Sequence, residues 1–121
     1  MTPTEELRAL YEQWRALTQE EGAALENRDW TRLTRSQTGK ARLQPRIADV
    51  SRQLEPAIHE REFRSMVEHL IELERRNQAL LQNLQRHAQD QQQELDRSRR
   101  HLRQLHQSYV PPARAHWQSY S

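Results

Sequence analysis

Six histidines, at positions 59, 69, 87, 101, 106 and 116, are the side chains best suited to hold a metal or move a proton near neutral pH. A helical metal pair needs ligands at i, i+3 or i, i+4, so that both project from one face. No two of these histidines are so spaced. His69 and Glu72 are three apart, but a single His/Glu pair on a polar helix face is ordinarily solvated. Thr38-Gly39-Lys40 echoes a phosphate-cradling loop. That loop, G-x-x-x-x-G-K-[ST], places Gly at position 34 and Ser or Thr at 41, where this chain has Thr34 and Ala41. No Gly-rich elbow surrounds a serine, and no cysteine is present for thiol chemistry or a disulfide framework. The residues therefore predict no catalytic group, no metal site and no cofactor, and they argue against an enzyme.

What remains is the chemistry of binding. Leu81, Ala88, Leu95, Leu102 and Tyr109 repeat every seven residues, with Leu84 and Leu105 on the companion row. A heptad stripe marks a helix that packs along its length against other helices. Around it, Arg86 to Gln107 is almost entirely polar, so the Leu95, Leu102 and Leu105 stripe is thin. It has three readings: it folds back on the rest of the chain, forms a homodimer seam, or accepts an amphipathic helix from another protein. Beyond it, Pro111-Pro112 forbids helix continuation, which leaves 110–121 as an extended flexible tail. Trp117 and Tyr120 lie in that tail and have two readings: incidental tail residues, or a docking motif, since large aromatics dominate binding hot spots.

The elements that position these residues are helices. Ala57 to Tyr109 contains no Gly and no Pro. Phe63, Met66, Leu70, Leu73, Asn77, Leu80 and Leu84 step by three and four before the seam moves over to the heptad row, as a four-residue stutter allows. Such a helix would be roughly 80 Å long at 1.5 Å per residue. Asn77 interrupts its leucines and either fixes helix register or offers a partner a hydrogen bond. Upstream, Thr2, Pro3 and Glu5 form an N-terminal capping box, followed by a seam of Leu7, Leu10, Trp14, Leu17 and Ala24 widened by Tyr11 and Leu25. Gly22 weakens this helix locally by roughly 1 kcal/mol relative to Ala. Asn27-Arg28-Asp29 reads as a turn, with Asp29 capping the next helix.

The second helix places Trp30, Leu33, Leu43, Ile47, Val50 and Leu54 on one side. Thr38-Gly39 and Gln44-Pro45 predict that it bends or splits, with a first piece to about Thr38 and a second from near Pro45. The expected architecture is all-α: helices near 4–27, 30–54 and 57–108 in an antiparallel hairpin or three-helix, coiled-coil-like bundle spanning 1–109, the last helix long.

Charge is patterned. Residues 1–29 carry three Arg against seven Asp/Glu, and residues 30–56 carry six Arg/Lys against two acids. Opposite signs on successive helices favour their pairing. In 57–109 nine Arg alternate with eight acids, which suits a solvated helix face better than a phosphate-binding stripe, so nucleic acid is not an expected partner. The N-terminus is acidic and lacks the apolar run of a signal peptide, and no stretch approaches the ~20 apolar residues of a membrane span. A cytoplasmic location without membrane insertion is expected.

The layout resembles the FlgN-type flagellar export chaperones over roughly residues 7–109. The resemblance rests on an acidic first helix ending in E-x-x-A-L-x-x-R-D-W (Glu21 to Trp30), a basic second helix bearing Lys40, and a long third helix with N-x-x-L-L (Asn77, Leu80, Leu81). Members of that family are small cytoplasmic helical proteins that hold hook–filament junction proteins and deliver them to the type III export gate. The resemblance implies that a client's C-terminal helix lies on Leu84, Ala88, Leu95, Leu102 and Leu105. It also implies a gate contact by a Tyr just after the last helix, the place of Tyr109. The family often follows that Tyr with Gly, whereas Val110-Pro111-Pro112 follows here, which makes Tyr120 and Trp117 competing candidates. The alternative of a different class is a structural coiled-coil protein that homo-oligomerises through the same helix.

Overall fold

The computed structural model describes residues 1–109, with the side chain of Tyr109 excepted; Trp117, Tyr120 and the expected tail lie outside the described residues. The chain is all-α, with helices α1 (Pro3–Glu26), α2 (Trp30–Arg52) and α3 (Pro56–Tyr109). It divides into two compact units, one from Met1 to Gln82 and one beginning at Asn83, with α3 supplying residues to both.

Local chemistry sets the helix ends of the first unit. Thr2 Oγ1 accepts the Glu5 amide at 3.2 Å, and Pro3 occupies the first helical position, where no amide donor is missed. Asp29 Oδ1 accepts the Arg32 amide at 3.1 Å and starts α2. Between them the chain reverses through a Schellman closure: Asp29 N–H bonds Ala24 O at 2.8 Å and Arg28 N–H bonds Leu25 O at 3.2 Å. Arg28 sits there at φ 53, the left-handed region that Gly usually fills.

Side-chain pairs fix the directions within the bundle. Arg8 meets Glu62, Thr18 meets Glu74, and Arg76 approaches Glu26, so α1 and α3 run parallel. Glu6 meets Arg46 and Glu20 meets Arg32, so α2 runs antiparallel to α1. One core joins Leu7, Leu10, Tyr11, Val50, Phe63 and Leu70, with Trp14, Leu43, Ile47, Leu54, Met66 and Val67 packed at its margin. Phe63 is fully buried and takes Tyr11 edge-on, ring centroids 5.3 Å apart.

The expected split of α2 and the expected place of Trp30 are corrected. The helix is neither split nor interrupted: it is continuous from Trp30 to Arg52 with Pro45 inside it. Gln44 and Pro45 are exposed and Ala41, whose carbonyl loses its usual donor to the proline, is exposed too. Leu43, Ile47 and Val50 hold both sides of that defect against the core. Gly39 is a contact rather than a break: a Cβ there would lie 3.1 Å from Leu17 Cδ1, so its bareness lets α1 approach. Trp30, expected on the packed side, is 52% exposed at the first turn of α2.

Candidate functional site

The face expected to bind lies in the unit that begins at Asn83. A helix advances about 100° per residue, so Leu84, Ala88, Gln91, Leu95, Ser98, Leu102 and Leu105 fall within an arc of roughly 100°. Leu95, Leu102 and Leu105 are 52%, 64% and 50% exposed. Ala88 is exposed and Leu84 half-buried. The five residues expected to bind thus share one helical face. The side chain of Tyr109, with Trp117 and Tyr120, lies outside the described residues, so the expected docking group is not placed.

The flanks of this face are charged in blocks. Asp90, Glu94 and Asp96 come first, followed by Arg97, Arg99, Arg100 and Arg103. All are exposed. Gln91 Nε2 lies 3.2 Å from His87 Nε2, and Gln92 Nε2 donates to Asp96 Oδ1 at 3.4 Å, contacts that brace one turn of helix against the next. Among the described residues no group of three or more His, Cys, Asp or Glu could hold a metal ion, and none of their helices is long and apolar enough to cross a membrane. The chemistry available on this face is burial of leucine against another apolar surface, steered by the charges beside it.

The first unit holds a second arrangement, which reading the sequence missed. Lys40 of α2 is 7% exposed, and its ammonium meets Glu74 of α3 and lies 3.4 Å from Glu21 Oε1 of α1. It also sits 4.7 Å from the centre of the Trp14 ring. Glu74 Oε1 further accepts Trp14 Nε1–H at 3.1 Å and the Thr18 hydroxyl at 3.1 Å. Asn77 closes the group: its Nδ2 donates to Thr18 O at 2.8 Å and to Glu21 Oε1 at 3.1 Å. Gly22 makes room for it, since a Cβ there would come 2.7 Å from Asn77 Oδ1. Of the two readings of Asn77, the observed bonds are those of a residue that fixes helix register.

A shallow cavity of about 240 Å³ opens beside this polar centre, lined by Glu21, Leu25, Leu33, Gln37, Glu74 and Asn77, with Gln78 and Leu81. A smaller apolar recess of about 210 Å³ lies among Tyr11, Trp14, Gln44, Ile47 and Leu70. Tyr11 stands at its edge with its hydroxyl 2.8 Å from His59 Nε2. Burial pushes the Tyr11 phenol above its ordinary value, with the Ser51 side chain partly opposing. On the surface between α1 and α2, the hydrogen bond from Arg32 holds the Glu20 carboxyl below the usual carboxylate range.

The signal for the polar centre was present in the spacing. Leu33, Ser36, Lys40, Leu43, Ile47 and Val50 step by three and four, which puts Lys40 in the packed seam of α2 despite its charge. Glu21 follows Tyr11, Trp14 and Thr18 on α1 in the same way. No protein-family model, no curated protein and no solved structure matches the chain.

Proposed function

We propose that this chain is a helix-capturing binding protein, and that it acts as a cytoplasmic flagellar export chaperone of the FlgN type. On this reading it is not an enzyme. Its clients are hook–filament junction proteins, whose C-terminal amphipathic helix lies on Leu84, Ala88, Leu95, Leu102 and Leu105. Tyr109, Trp117 and Tyr120 supply the contact with the export gate, and neither nucleic acid nor membrane is a partner.

The observation that carries the reading is the exposure of Leu95, Leu102 and Leu105, each half or more open to solvent on one helical face. Soluble chains rarely leave aligned leucines open without a surface to cover them. The bundle offers the complementary property, since its own leucines are already satisfied by a core between Met1 and Gln82. Capture and folding therefore draw on different residues.

The test is the affinity of a junction-protein C-terminal peptide for the parent and for a Leu102→Ser, Leu105→Ser variant. Each leucine buried on binding is worth roughly 1.5–3 kcal/mol, so the double change should weaken capture at least about tenfold. The melting temperature of the bundle should stay at the parental value. Parental affinity in the variant sinks the reading. A chain lacking 110–121 should bind the peptide normally but fail to restore swimming; reduced peptide affinity in that truncation would refute the division of labour.

A further inference from the structure

We propose that, without a client, the leucine face of residues 84–105 is covered by the same face of a second copy, in a parallel, in-register two-helix coiled coil. The proposal stands on the placement of residues along that face, and holds whether or not the client reading does.

Three features of the face choose the partner and its direction. The first is the order of leucines. With Leu81, Ala88, Leu95 and Leu102 as one row and Leu84, Gln91, Ser98 and Leu105 as the other, in-register pairing puts Leu84, Leu95, Leu102 and Leu105 each against its own counterpart. The second is the order of polar residues. Gln91 and Ser98 fall on the seam itself. In register, each meets an identical side chain that both donates and accepts, so neither is buried without a hydrogen bond. Antiparallel pairing centred on the same stripe sets Gln91 level with Leu102 and Ser98 level with Leu95, which strands a polar group against hydrocarbon at each level. The third is charge. Glu94 precedes Leu95 on one flank and Arg99 follows Ser98 on the other. In a parallel pair these are the flanking positions that face each other across the seam, so Glu94 meets the partner's Arg99 twice by symmetry. Both groups are exposed and free to do so. The remaining charges, Arg86, Asp90, Asp96, Arg97, Arg100 and Arg103, fall on positions that point away from the seam.

An unrelated amphipathic helix would satisfy the leucines alone. A second copy satisfies the leucines, the two polar layers and the flanking charges together. Gln91 and Ser98 also lower the affinity, since they contribute no apolar burial. The pair is therefore reversible, and a client helix with leucine at those levels displaces it. Self-pairing then acts as a cover for the face.

The experiment uses the full chain without client. Sedimentation equilibrium from about 1 to 100 µM should show a monomer–dimer equilibrium that shifts with concentration by mass action. Glu94→Arg and Arg99→Glu should each weaken the dimer about tenfold, and the double charge swap should restore it within about twofold. Both positions are exposed, so circular dichroism should show parental helix content in all three variants. Direction is read by Gln91→Cys, which adds a thiol to a chain that has none. A disulfide needs Cα atoms about 5.5–6 Å apart, which the in-register pair provides. Antiparallel pairing separates the two thiols by about 16 Å, eleven residues at 1.5 Å each. Mild oxidation should give a covalent dimer, and addition of an amphipathic client peptide beforehand should suppress it. A chain that stays monomeric at 100 µM overturns the proposal. A dimer that ignores both charge inversions, or that fails to cross-link through Gln91→Cys, overturns the pairing described here.

Discussion

At the scale of single residues, the bundle is most specific where it is least apolar. Asn77 reaches α1 because Gly22 has no side chain, and it then bonds Thr18 O and Glu21. A mid-helix Gly→Ala change ordinarily adds about 1 kcal/mol of stability through helix propensity. Here the new methyl would meet Asn77 Oδ1 at 2.7 Å, and Asn77 cannot yield without giving up bonds in a buried site. Gly22→Ala should therefore lower stability in urea by about 0.5–2 kcal/mol, against its propensity. In an Asn77→Ala background the same Gly22→Ala change should instead be neutral or stabilising, because the atom it would clash with is gone. A stabilised single variant would show that α1 and α3 are not this close. The same scale explains what was hidden in the sequence. A charged side chain reads as solvent-facing, yet Lys40, Glu21 and Asn77 are nine-tenths buried. Their mutual bonds make that possible; the spacing places Lys40 and Glu21 in packed seams, but which residues they meet on other helices is not written in either helix alone. A buried ion pair is weak evidence of net stability, since desolvation offsets much of its attraction. Its effect is to make any other alignment of the three helices costly.

At the scale of elements, existence and extent followed from spacing. Leu7, Leu10 and Tyr11 on α1 and Phe63 and Leu70 on α3 recur at helical intervals, and all five are buried. The caps at Thr2 and Asp29 followed from residue type. The continuity of α2 did not, because Gly39 and Pro45 carry strong local penalties that packing overrides. Gly39 lies against Leu17, and the turn around Pro45 is anchored by Leu43 and Ile47. The defect at Pro45 still has a cost, because the proline cannot donate to the preceding turn. Pro45→Ala should raise stability by about 1–3 kcal/mol, the intrinsic helix penalty of proline less the freedom regained by the unfolded chain. Thermal denaturation followed by circular dichroism measures it, and a lower melting temperature would mean that the proline shapes the packing of α2. The turn before α2 is a contrasting case. Arg28 holds a left-handed conformation that no residue pattern announced, because Schellman closures usually place Gly there.

At the scale of the whole molecule, apolar residues fall into two groups with different duties. Most of those between Met1 and Gln82 pack in or around a core, with Met1, Trp30 and Ile71 exposed; Leu95, Leu102 and Leu105 on the far part of α3 are left open. Leu70→Asp should abolish cooperative melting, because a carboxylate at a 6%-exposed core position must be desolvated without a partner. Leu102→Asp, at a position 64% exposed, should leave the melting curve unchanged. Equal effects of the two changes would mean that the face is part of the core. The candidate face was legible in the sequence because a seven-residue leucine repeat in polar surroundings is the spacing that helix-on-helix packing requires. That part of it stays uncovered also follows from length, since two helices of about 36 Å cannot cover one of roughly 80 Å unless stacked end to end.

The parallel run of α1 and α3 has a mechanical consequence. An odd number of helices places Met1 and Gln82 at opposite ends of the first unit, about 36 Å apart along α1 at 1.5 Å per residue. Tension applied between those two points pulls α1 and α3 past each other along their length. Such a load is shared at once by Arg8–Glu62, the Tyr11–Phe63 packing, Thr18–Glu74 and the Asn77 bonds, rather than meeting them one after another. Tension applied between the start of α1 and the end of α2, the open end of that antiparallel hairpin, would instead unzip them pair by pair. The first unit is thus stiff to a pull along its axis and soft to one across it.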